Sequence, residues 1–200
     1  MKTFWILFLM MVAFTSCKHG RSDNVSQKDL ILLGQKDKRN SIDKYIRSHR
    51  KAVITLVKIP GKTELVIVKN EQWPDEVEYT YSVYKDGSGE IIFIAQTPFS
   101  ESGDWNVVYK HYFDGDGNTC AFSKLESLFD DGVKGGIVRE LLTNYYDKNF
   151  KILKQIDKLT DQEYKPVKKS KNDFNFRNDK YEVYKDAKEC LAGYNIKLPN

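Results

Sequence analysis

The sequence predicts an α+β fold: an antiparallel β-meander of six to eight strands, with a short N-terminal and a C-terminal helix. Three observations predict it. Apolar residues recur at period two in several runs, as in "EVEYTYSVY". A Tyr-x-Asp triplet followed by turn-forming residues recurs at Tyr84, Tyr112 and Tyr145. Two segments near the ends of the strand-rich region have helical spacing with helix-terminal residues beside it.

The first helix is expected in "SIDKYIRSHRKAV". Ser41 is a good N-cap, and Ile42, Tyr45, Ile46 and His49 fall at helical spacing. "AVITLVKI" and "TELVIVK" then flank Pro60-Gly61. Pro followed by Gly suits the centre of a type II turn, so a hairpin is expected.

"EVEYTYSVY" sets Val77, Tyr79, Tyr81 and Val83 on one face and polar residues on the other. "EIIFIAQ" is apolar from Ile91 to Ala95 and reads as a strand covered on both faces. "WNVVYKHYF" and "TCAFSKLESLF" supply two more strands. Residues 137–160 fit either a helix face or two strands around "DKN". The repeated triplet decides for strands.

In that triplet, Asp86, Asp114 and Asp147 occupy one slot. An Asp opening a turn accepts from the backbone N–H two residues on, and Gly or Asn then supplies the positive φ. The spacings of 28 and 33 residues differ, so the pattern is a meander and not a strict repeat. The last helix is expected in "DKYEVYKDAKECLAG", capped by Asp179 and stopped by Gly193. Tyr184, Ala187 and Leu191 should pack it on the sheet. A meander of this strand order can also curl into a lipocalin-like half-barrel with a ligand cavity.

The chain opens with "MKTFWILFLMMVAFTSC": an early Lys2, an apolar run from Phe4 to Phe14, small polar residues, then Cys17. The run is too short to span a bilayer core, which needs about 20 apolar residues. It has the form of an export signal. Its end resembles the lipobox of bacterial lipoproteins, although Phe14 stands where that family usually has Leu. The resemblance implies cleavage before Cys17, lipidation of Cys17 and attachment to a membrane. Lys18, a non-acidic residue after the Cys, implies the outer membrane. The alternative is a plain secretory signal with Cys17 free. The domain boundaries follow: a signal peptide over 1–16, a lipidated polar tether over 17–40, and one β-rich domain over 41–200.

With Cys17 assigned to lipid, Cys120 and Cys190 remain. An exported compartment permits a disulfide between them, and two separate buried thiols are the alternative. The 32 basic and 28 acidic residues are interspersed, which leaves no case for nucleic acid.

The chemistry candidates are few. "DGDGN" from Asp114 begins like a calcium loop, but position 6 is Thr119 and position 12 is Leu125. The loop glycine and the bidentate Glu are missing, so a turn is expected and no metal. His19, His49 and His111 lack metal-ligand spacing, and no nucleophile or phosphate-loop motif is present. No cofactor is implied. "KPVKKSK", Lys165 to Lys171, is read as a solvated basic loop.

Aromatics are the strongest binding candidates: Trp73, Trp105, Tyr109 and Tyr112 lie on or beside strands. On an open face they could stack on a glycan, hold a small apolar ligand or anchor an envelope protein. In the core they would only pack. The leading expectation is a lipid-anchored, non-catalytic envelope protein that binds a ligand or partner. One alternative is an envelope hydrolase built on carboxylates or His111. Another is an inhibitor or immunity-type module using a loop near Thr97 to Asp104.

Overall fold

The computed structural model describes residues 26–177 and 179–199. The export-signal region and Cys17 lie outside the described residues. Helix α1 spans Gln27–Ser48. Eight antiparallel strands follow: β1 Ile54–Lys58, β2 Val66–Ile67, β3 Tyr79–Lys85, β4 Ile91–Pro98, β5 Trp105–Phe113, β6 Thr119–Phe129, β7 Ile137–Tyr146 and β8 Ile152–Thr160. A short helix α2 closes the chain at Ala187–Gly193. The α+β meander is therefore present, with strands and not a helix over 137–160.

The strand order is β2-β1-β3-β4-β5-β6-β7-β8. Only β1 and β2 depart from simple succession, because β1 lies between β2 and β3. The turn joining them uses Pro60-Gly61, with Gly61 at φ 74° and the Lys62 N–H donating to Ile59 O at 3.1 Å. The sheet ends at β2 on one side and β8 on the other. Among the described residues β2 and β8 do not pair, so the sheet does not close into a barrel.

Each face of the sheet carries its own core. On one face a row crosses the strands in register: Tyr84, Phe93, Tyr112, Ala121 and Tyr145. Helix α1 lies over this row, with Ile42 buried against it and Leu32 and Ile46 partly buried. On the other face, Tyr81, Val83, Ile94 and Phe113 pack under α2 and the chain after it. Val107, Tyr109, Phe122 and Tyr146 continue that face. The segment from Pro166 to Tyr184 runs beneath it as a strap, burying Phe174 against Val138. Burying a large side chain of this kind contributes about 2 kcal/mol.

Both helices start elsewhere than the sequence suggests. Helix α1 begins at Gln27, capped by the Ser26 side chain, which accepts from the Asp29 N–H at 3.1 Å. Residues 27–40, read as tether, are thus helical and docked. Their inward residues are largely polar: Gln35 donates to Tyr146 O at 2.7 Å and Arg39 to Tyr145 Oη at 3.1 Å. Helix α2 is capped by Asp186 and not Asp179. Residues 179–185 are not helical, and the sheet takes the backbone groups of Tyr184 and Lys185. Thr119 N–H donates to Lys185 O at 2.9 Å, and Thr119 Oγ1 donates to Tyr184 O at 2.7 Å. Tyr184, Ala187 and Leu191 do pack on the sheet.

The repeated turns are one structure. In each, Asp Oδ1 accepts from the N–H groups two and four residues on, at 2.9–3.1 Å. The residue three positions after the Asp has positive φ: Gly89, Gly117 and Phe150. A β-bulge follows each turn, leaving Ile92, Cys120 and Leu153 as extra residues in their strands. A fourth copy stands at Asp161, whose Oδ1 accepts from Glu163 and Lys165, with Tyr164 at φ 62°.

Candidate functional site

The sequence-selected aromatics separate. Tyr112 is buried beneath α1, and its hydroxyl donates to Asp43 Oδ1 at 3.0 Å. Tyr109 is buried on the opposite face, stacked on Tyr181 with centroids 5.2 Å apart. Burial pushes its phenol up to about 12. Trp105 is half-buried, with the Arg177 guanidinium 4.0 Å above its ring. Trp73 is exposed on the connection between β2 and β3. No single face collects the four, and two of them are core.

Cys120 and Cys190 are free and buried. They cannot pair, because Cys120 packs in the cluster under α1 and Cys190 in the cluster under α2. The sheet lies between them. Burial pushes the Cys120 thiol up to about 12 and raises Cys190 as well.

His111 is fully buried, with its ring among Phe113, Phe122 and Tyr184. Its Nε2 accepts from the Tyr184 N–H at 3.2 Å, which puts the ring proton on Nδ1. Burial lowers its pKa to about 3, so the ring is neutral. The Asp114 turn spends Oδ1 on its own backbone, and Oδ2 lies 3.6 Å from Lys38 Nζ.

Two sites went unnoticed in the sequence. The first is a charged chamber of about 350 Å³ between the sheet and the strap. Glu126 and Glu140 sit directly opposite each other on β6 and β7 and are fully buried. Lys124 Nζ lies 2.7 Å from Glu126 Oε2 and 3.3 Å from Glu140 Oε2. Lys171, from the basic connection, pairs with Glu140, and the Arg177 N–H donates to Glu126. Burial pulls the Lys124 ammonium down, but the two carboxylates outweigh it and hold it above its ordinary value. Each of these charges has a counterpart, so the buried carboxylates form a paired network that Lys171 connects to the surface. The sequence signal was there: Lys124 and Glu126 share strand parity with Phe122 and Leu128, an inward face.

The second is an open groove of about 740 Å³ between α1 and the turns of the β5–β6 and β7–β8 hairpins. Ile31, Gln35 and Lys38 line its helix side, one side of α1 at helical spacing. Asp114, Asp147, Lys148 and Lys151 line its turn side, and Leu153, the bulge residue of β8, lies among them. In both turns Oδ1 is held by backbone N–H groups, and at Asp114 Oδ2 faces Lys38 Nζ across the groove at 3.6 Å. Gln35 is only 6% exposed, and its Nε2 is used on Tyr146 O. Its Oε1 is buried without a hydrogen-bond partner. Leaving such an acceptor unmet costs about 1–3 kcal/mol.

This chain matches no protein family, no curated protein and no solved structure.

Proposed function

We propose that this protein is a lipid-anchored, non-catalytic component of the cell envelope that binds a ligand in the groove between α1 and the Asp turns. The observation that carries the reading is the open groove of about 740 Å³ lined by both signs of charge. The groups a hydrolase would need are committed elsewhere: His111 to packing, Glu126 and Glu140 to Lys124. The lipobox resemblance supplies the anchor. Ser26 caps α1 nine residues after Cys17, so the Gln27 end of the groove lies within about 36 Å of the acyl site.

Two measurements test this reading. Mass spectrometry of the mature chain should find an acylated Cys17 at its start, and an unmodified start elsewhere removes the anchor. A photo-crosslinking residue at Ile152, on the groove, should capture a discrete envelope component. The same residue at Lys62, on the β1–β2 turn, should not. Equal labelling from both positions removes the groove as the binding surface.

A further inference from the structure

The sheet face that carries α1 is only partly covered by it. Helix α1 packs over the row nearest the Asp turns, which includes Tyr112, Ala121 and Tyr145. Farther along the same strands, alternation brings Val108, Leu125, Leu141, Phe129 and Ile137 to that same face. Val108, Leu125 and Leu141 stand opposite one another across β5, β6 and β7, and Phe129 stands opposite Ile137. Leu125, Leu141 and Ile137 are half-buried, and Phe129 is 64% exposed. Among the described residues none of these four is packed into an apolar core. Their neighbours on the opposite face, Glu126, Val138 and Glu140, are fully buried. From Leu125 to Phe129 the strip runs about 13 Å along β6, and one α-helix with its side chains is about 10–12 Å wide.

The charges around the strip have one sign. On β5 to β8 this face carries Lys110, Arg139, Lys154 and Lys158 and no carboxylate, because Glu126, Glu140 and Asp157 alternate to the other face. Among the described residues none of the four cations is in an ion pair. Lys110 is half-buried, and burial pulls its ammonium below its ordinary value against the opposing effect of Asp43. At the foot of the strip, Asn106, Ser127, Phe129 and Ile137 line a groove of about 170 Å³, with room for one large apolar side chain. Asp104 at its rim already accepts from Ser102.

We propose that this strip is the docking surface for an acidic amphipathic helix of a partner protein, laid beside α1 on the same face. Its apolar side covers Leu125, Leu141, Phe129 and Ile137, and its carboxylates reach Lys110, Arg139 and Lys158. The two-layer packing that α1 begins is thereby completed. Two other occupants fit worse. A second copy offers α1, whose six basic and three acidic residues would face the same cations. A planar bilayer is held off, because α1 rises about 10 Å above the strands beside the strip. The site is separate from the groove at the Asp turns and stands or falls without it.

The test uses the chain from residue 17 carrying Cys17→Ala and three labelled synthetic peptides of about 18 residues, about 27 Å long as helices. The first has leucines along one side and glutamates flanking them. The second has lysines in place of the glutamates, and the third scrambles the first. Fluorescence anisotropy should show the first binding at least about tenfold tighter than either control. Phe129→Ser and Lys158→Glu, both at exposed positions, should each weaken it by about fivefold or more, with folding checked by circular dichroism. Lys62→Glu, on the β1–β2 turn, should leave it unchanged. Equal binding of the acidic and scrambled peptides means general attraction to anions and overturns the proposal. Absence of binding overturns it too. So does a dimer in sedimentation, or retention on phosphatidylglycerol vesicles, that Phe129→Ser abolishes, since either gives the strip to another occupant.

Discussion

Cys120 and Cys190 lie on opposite faces of one sheet, each closed into the core that covers its own face. The bulge after the Asp114 turn places Cys120 toward α1, where its Sγ lies 3.4 Å from Tyr112 O. The cap at Asp186 places Cys190 toward the other face. Both thiols should therefore persist in an oxidising compartment. In the folded chain neither should react with a mild thiol reagent at neutral pH, because burial raises both thiols. In urea without reductant both should react. One disulfide found by mass spectrometry of the native chain would refute this arrangement of faces.

His111 makes stability depend on pH in a known direction. Its folded pKa of about 3 lies below the unfolded value of about 6.5. Above about pH 6.5 neither state is protonated and stability is complete. As pH falls below that, the unfolded state binds a proton that the native state refuses. Stability is then lost at up to about 1.4 kcal/mol per pH unit until the native ring titrates. His111→Phe, placed among Phe113, Phe122 and Tyr184, should flatten that part of the profile. Urea titrations of both proteins at pH 7, 5.5 and 4.5 measure it. Parallel profiles would show that His111 does not carry the dependence.

Much of the sheet was legible because its signals are local. Period-two alternation marks β3, and the Asp slot marks three turns whose hydrogen bonds lie within five residues. The fourth turn escaped because Leu159 stands where the others have Tyr. Tyr164 also fills a slot where Gly is expected. Yet Phe150 fills the same slot in the third copy, so Gly is not required there. The first half of α1 was illegible for another reason. Its inward side uses Gln35 and Arg39, polar residues that find partners only on strands more than a hundred residues away. No window of sequence contains that information. The groove inherits the same difficulty, since it exists only where this half-helix meets two distant turns.

Lys124 should be the most sensitive surface-type residue in the chain. Removing it leaves Glu126 and Glu140 buried and directly opposed across β6 and β7. Lys124→Met should cost about 3–5 kcal/mol, the range for stranding a buried charge. Replacing all three, as Lys124→Met, Glu126→Leu and Glu140→Leu, should recover most of that loss. Denaturant unfolding of the two variants decides. A single variant costing under about 1 kcal/mol would mean that water already reaches the pair.

The Asp turns give a matched pair of glycines with opposite expectations. Gly115 and Gly117 stand two residues apart in one turn, and a Cβ on either meets nothing within 4 Å. They differ in backbone alone. Gly117 has φ 78°, the left-handed region, between its own N–H bond to Asp114 O and the Asp114 N–H bond to Asn118 O that closes the hairpin, both 2.9 Å. Gly115 is not held at positive φ. Gly117→Ala should therefore cost about 1–2 kcal/mol. Gly115→Ala should be neutral or stabilise by up to about 1 kcal/mol, because it narrows the unfolded ensemble. Gly89→Ala, at φ 92° in the first turn, should follow Gly117. Since both side-chain environments are open, thermal unfolding of the three variants isolates the dihedral cost from packing. Equal effects at Gly115 and Gly117 would mean that the positive-φ slot three residues after Asp is not what fixes these hairpins.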